Sequence, residues 1–152
     1  MKFWKINCME DRFPGMWQRW FIHQCVGVGW FSGWGHHLEG PTDDYGWSRT
    51  RNALDAICPG DMIVVALHGH RVGRLGEVTG KAISDSDWAP LVPPSKEEPD
   101  GEMGRRIFML WDLTTGPQDR DLVVQLPEDC RLSSGELRPT LCEIRSRTVD
   151  EI

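Results

Sequence analysis

Long apolar runs are missing from this chain of 152 residues. No stretch approaches the roughly 20 consecutive apolar residues of a membrane helix. The opening Met1-Lys2-Phe3-Trp4-Lys5-Ile6-Asn7 lacks the apolar segment of a secretory signal. Both absences point to a cytoplasmic protein without a membrane partner. Cysteine is sparse and odd in number, with Cys8, Cys25, Cys58, Cys130 and Cys142 scattered and no CxxC. A disulfide framework or cysteine zinc site is therefore not expected, and reduced thiols are. Basic charge is also short: 17 Lys and Arg face 23 Asp and Glu, a net charge of −6. That argues against indiscriminate binding to nucleic acid but leaves room for one local basic face. Much of the acid is concentrated in Glu97, Glu98, Asp100, Glu102, Asp119, Asp121, Glu128, Asp129, Asp150 and Glu151.

Catalytic signatures are missing as well. The chain has no GxSxG, no phosphate-binding P-loop, no HExxH and no HxE followed by PCxxC. His36-His37 and His68-Gly69-His70 have no third ligand in a recognisable spacing, so neither metal nor cofactor is expected. The reading is a non-catalytic protein.

Tryptophan, by contrast, is abundant: eight against one tyrosine. A core needs few indoles, because each is bulky and its N–H wants a partner. The segment Cys25-Val26-Gly27-Val28-Gly29-Trp30-Phe31-Ser32-Gly33-Trp34 concentrates the signal. It reads as a buried strand breaking into a loop with three aromatics among glycines, where backbone approaches a ligand closely and an indole offers a flat stacking face. An aromatic pocket for a flat ligand competes here with aromatic core packing.

With 39% hydrophobic and 26% charged residues, the composition is that of one soluble globular domain spanning 1–152. Strands are expected at 3–6, 24–30, 62–67, 71–78, 106–113 and 122–126. A short helix is expected within 13–23, and a second from an N-cap at Ser48 to about Ile57 with Ala53, Leu54 and Ile57 inward. Pro59-Gly60-Asp61 reads as a turn, and 62–78 as an antiparallel hairpin closed by His68-Gly69-His70. Residues 89–104, with Pro90, Pro93, Pro94, Pro99, Gly101 and Gly104, read as a flexible insertion. The tail 139–152 fits helix or strand. These elements predict an α+β fold built on a small mixed β-barrel of five to six strands with two or three flanking helices.

The order of motifs resembles the PUA-like superfamily, and within it the EVE/YTH-like domains that bind modified bases. The pieces are Phe3-Trp4-Lys5-Ile6-Asn7, Val26-Gly27-Val28-Gly29-Trp30, Ile57-Cys58-Pro59-Gly60-Asp61-Met62-Ile63-Val64-Val65 and Val72-Gly73-Arg74-Leu75-Gly76-Glu77-Val78-Thr79-Gly80. The late Arg106-Ile107-Phe108-Met109-Leu110-Trp111 and Arg138-Pro139-Thr140-Leu141 fit the end of such domains. The resemblance implies a pocket between strand ends, into which a modified base of DNA or RNA is flipped and caged by aromatics. By position it places Trp30 and Trp88 as cage walls, Ser32 beside the base, and Asn7 on its edge. Trp34 and Trp47 are alternatives for the second wall. It also implies a separate effector such as a nuclease, and a place in bacterial defence.

Base–aromatic stacking contributes roughly 1–3 kcal/mol per base, so edge contacts must supply the remaining selectivity. Arg49, Arg51, Arg71 and Arg74 are candidates for phosphate contacts at the pocket mouth, competing with an ordinary solvated face. Trp4, Trp17, Trp20 and Trp111 read as core. Two other functions stay open. One is a nucleotide or amide hydrolase on the same fold, for which Lys5 and Glu77 are the nameable candidates. The other is a protein-interaction module using a Trp-rich surface.

Overall fold

A computed structural model describes residues 1–8, 10, 14–28, 45–83, 105–112, 123–133 and 140–144, the side chains of 45–48, 124 and 130 excepted. Its centre is the β-branched run Met62–Leu67, strand β3. Cys58-Pro59-Gly60-Asp61 turns the chain into it. The Asp61 amide donates to the Cys58 carbonyl at 3.0 Å, and Gly60 takes φ +93°, the type II geometry that Pro-Gly encodes. The three-residue connection His68-Gly69-His70 then returns the chain antiparallel as Arg71–Ala82, strand β4. The hairpin expected over 62–78 is thus present.

The remaining strands assemble around it. Strand β1, Phe3–Asn7, lies parallel to β3 with Phe3 opposite Met62 and Asn7 opposite Ala66. Strand β5, Arg105–Trp111, pairs antiparallel with the far half of β4. Strand β2, Cys25–Val28, pairs antiparallel with β5. Short strand β6, Val124–Gln125, pairs with Arg71 and Val72 at the start of β4. Strand β7, Leu141–Glu143, pairs antiparallel with β1, so this part of the tail is strand; 145–152 lie outside the described residues.

The order β2-β5-β4-β3-β1-β7, with β6 beside β4, corrects the expected barrel: the fold is α+β, but the sheet is open. Closure would require β2 to pair with β7, and among the described residues it does not. Strand β4 changes partners along its length, with one irregularity opposite Val65 and another at Thr79. Bulges of that kind bend a sheet locally. The β7 margin is met by helix α2, Tyr45–Ala56.

Helix α1, Met16–His23, lacks a hydroxyl or Asx N-cap. The Glu10 carboxylate substitutes, accepting from Gly15 N at 2.9 Å and Trp17 N at 2.6 Å. At the end of α2 the Lys81 ammonium donates to the carbonyls of Leu54, Asp55 and Ile57 at 2.8–2.9 Å, a cation on the negative end of a helix.

The centre of the sheet is buried on both faces. One hydrophobic cluster joins Trp4, Ile6, Ile63, Val65 and Ile107 to Trp17, Trp20 and Leu54 from the helices. The opposite cluster joins Phe3, Val64, Ala66 and Val72 to Leu126, Leu132 and Ile144. A strand covered on both faces has no polar alternation to keep, which is why β3 reads as continuous apolar sequence. Trp4, Trp17, Trp20 and Trp111 are all at most 7% exposed, in agreement with their reading as core. Trp17 meets Trp111 edge-on, with ring centroids 5.0 Å apart and planes at 84°. A Cβ on Gly73 would lie 2.6 Å from the Trp17 ring, so that position has room only for hydrogen.

Candidate nucleic-acid interface

Strand β1 places Lys5 and Asn7 two residues apart, hence on one face. Lys5 is fully buried, and its ammonium donates to Asn7 Oδ1 at 3.0 Å. Burying an ammonium costs several kcal/mol unless polar partners surround it. Here the strand spends its burial on a polar pair at its carboxyl end, where a methyl-bearing residue would pack at no such cost. Asn7 is half-buried, and its backbone N–H is tied to the Thr140 carbonyl at 2.8 Å. Lys5 thus orients the carboxamide that the resemblance implies as an edge-reader.

At the other end of β1, Asp61 organises the entry to the sheet. Its carboxylate accepts from Lys2 N at 2.9 Å, Cys58 N at 3.0 Å and Trp4 Nε1 at 3.0 Å. Burial alone raises a carboxyl's pKa, but the hydrogen bonds from Lys2, Cys58 and Trp4 outweigh it and hold Asp61 below the ordinary range. The indole of Trp4 is fixed in consequence. Against it, α2 presents Arg49, Asn52, Ala53 and Ala56, spaced i, i+3, i+4, i+7 on one helix face. Together with Lys2 and β7 these residues enclose an open cavity of about 460 Å³.

The four arginines singled out by the sequence do not form one surface. Arg49 is exposed and lines that cavity. Arg51 is on the same helix, with Nε 4.0 Å from Asp55 Oδ2. Arg71 is exposed at the hairpin tip, where its Nε donates to the His68 carbonyl at 2.8 Å. Because Arg71 pairs with Leu67, it stands beyond the Asn7 end of β1 rather than the Lys2 end, about 16 Å away at strand rise. Arg74 is only 4% exposed; with Gly73 it stands opposite Val65 where the β3–β4 register shifts. Trp30, Ser32, Trp34 and Trp88 lie outside the described residues, and Trp47 is in α2 with its side chain outside them.

Lys5 and Glu77, the pair named for a hydrolase, are not neighbours. Lys5 is opposite Val64 and thence Leu75, whereas Glu77 is opposite Met62. Two strand spacings, nearly 10 Å, and two residues along the strand separate them. Cys25 is buried, and desolvation raises its thiol pKa to about 11 against a lowering by Arg106; it is a protonated thiol at neutral pH rather than a nucleophile. His68 and His70 are exposed at the hairpin tip, and among the described residues no three His, Cys, Asp or Glu side chains converge on a metal position.

Lys2 and Asn52 were not marked by the sequence reading, although Asn52 was findable: it falls on the α2 face of Arg49, opposite Leu54. No protein-family model and no curated protein matches the chain.

Proposed function

We propose that this chain is a reader of modified bases in DNA or RNA, a PUA-like domain of the EVE/YTH-like kind on an open rather than closed sheet. The observation that carries the reading is the Lys5–Asn7 pair: a fully buried ammonium holding a half-buried carboxamide at the end of the first strand. This is the position where the resemblance implies an edge-reader. The parallel β1–β3 pair, the β3–β4 hairpin and two helices are consistent with it. By the resemblance the base stacks on Trp30, against Trp88, Trp34 or Trp47, with Ser32 beside it. Val28, the last described residue before Trp30, is level with the end of β4 and Asn7 with its start, so one base reaches both only if the sheet curls between them. Asn7 then discriminates by hydrogen bonding, because an ill-matched base leaves buried groups unpaired at roughly 1–3 kcal/mol. The chain acts without catalysis and delivers its signal to a separate effector.

The test is a binding panel of short single- and double-stranded oligonucleotides carrying methylcytosine, hydroxymethylcytosine or methyladenine, each beside its unmodified twin. One modification should bind about tenfold or more tighter than its twin, as 1.4 kcal/mol of discrimination requires. Equal affinity across the panel would rule the reading out.

A further inference from the structure

We infer that the cavity between α2 and β7 is a phosphate-backbone site, through which the strand flanking the read base passes. This rests on the proposed function and adds to it a second location with its own residues. Of the side chains lining the cavity, Lys2 and Arg49 are cationic, Asn52 is a neutral donor, and Glu143 is the one carboxylate. The site is therefore net positive on a chain whose net charge is −6. Among the described residues Arg49 makes no ion pair, in contrast to Arg51 beside Asp55. The Lys2 ammonium lies 6.0 Å from the Trp4 ring centroid and likewise makes no ion pair among the described residues.

Shape agrees with charge. Ala53 and Ala56 keep the helix wall low, and Trp4, held by Asp61 at 3.0 Å, gives a floor that does not collapse into the space. The cavity of about 460 Å³ is within the size range of small-ligand sites. Trp4 is only 3% exposed, so the floor offers no face for stacking a base. Donors around a rigid, shallow, positive groove suit the sugar-phosphate chain instead, since phosphate contacts position a strand without reading it.

The experiment measures affinity of a single-stranded oligonucleotide against salt for wild type and for Arg49→Gln, Lys2→Gln and Asn52→Ala, with Arg51→Gln as control. Thermal transitions run alongside, since all four side chains are at the surface or its margin. Each lost cation should flatten the slope of log K against log salt by about 0.7 and weaken modified and unmodified strands alike, leaving their ratio unchanged. Asn52→Ala should weaken both strands with the slope retained, and Arg51→Gln should match wild type. Wild-type slopes in Arg49→Gln and Lys2→Gln would overturn the inference. So would competition by inorganic phosphate or a mononucleotide as effective as that of the strand, which would make the cavity a small-anion pocket. Failure of the base-reading proposal looks different: the slope changes persist, but modified and unmodified strands bind equally. A wild type that binds no strand overturns both.

Discussion

Replacing Asp61 by Asn tests whether one carboxylate ties the start of β1 to the turn before β3. In the native protein Oδ2 accepts from both Cys58 N and Trp4 Nε1, and Oδ1 from Lys2 N. The substitution keeps the shape but removes the charge and turns one acceptor into a donor facing a donor. Hydrogen bonds to a charged group contribute about 1.5–3 kcal/mol each, and a buried donor left unpaired costs about 1–3 kcal/mol. The three bonds are coupled rather than additive, so we expect a loss of about 2–4 kcal/mol, a large share of a typical 5–15 kcal/mol. Equilibrium urea unfolding measures it, with the near-ultraviolet signal of Trp4 as a local probe. The pH dependence supplies a second readout. The folded-state pKa is depressed, so on unfolding the chain takes up a proton in the window between that value and the ordinary ~3.9. The stabilisation is fully present above the unfolded pKa and is lost as pH falls through the folded one. Asp61→Asn should lack this acid-side slope. A variant within 0.5 kcal/mol of wild type (a margin set by ordinary surface substitutions, roughly ±0.5 kcal/mol), with the slope intact, would refute the assignment.

Three further substitutions probe the frame. Gly73→Ala puts a Cβ 2.6 Å from the Trp17 ring; overpacking of this kind costs about 1–3 kcal/mol, read by urea midpoint and a shift in tryptophan emission. Gln24→Gly relieves a left-handed residue, φ 52° at the end of α1, and should stabilise by about 0.5–1 kcal/mol, seen as a higher Tm. Lys81→Met removes the donor to the carbonyls of Leu54, Asp55 and Ile57 at and just past the end of α2 and should destabilise by about 1 kcal/mol, with faster amide exchange in the last turn of α2.

Local chemistry was the part of this fold most legible in the sequence. Met62–Leu67 is a strand to the residue, because β-branched density needs no partner to be recognised, and Pro59-Gly60 fixes its own turn. Trp4, Trp17, Trp20 and Trp111, read as core, are buried. What the sequence hides is pairing. Alternation along β4 is broken by the two register shifts, so the burial of Arg74 did not follow from its spacing. Nothing local distinguishes a curved open sheet from a closed one, since closure depends on whether β2 and β7 meet. The burial of Lys5 was equally hidden, because a lysine amid apolar residues reads as the exposed face of a strand. Of the residues named in advance, Arg49 lines the cavity beside α2 and Asn7 is held by Lys5. Asn52 could have been found from its place on the helix face of Arg49, whereas Lys2 became visible only once α2 lay against β1 and β7.

The central claim is that a modified base is read by Asn7 and stacked on Trp30. It is tested most directly by measuring the affinity of wild type, Asn7→Ala and Trp30→Ala for one modified oligonucleotide and its unmodified twin, with each thermal transition recorded. Trp30→Ala should lose most of the binding, on the order of 1–3 kcal/mol, while its melting stays close to wild type. Asn7→Ala should collapse the modified-to-unmodified ratio toward one. Wild-type affinity and ratio in both variants, with their transitions intact, would contradict it.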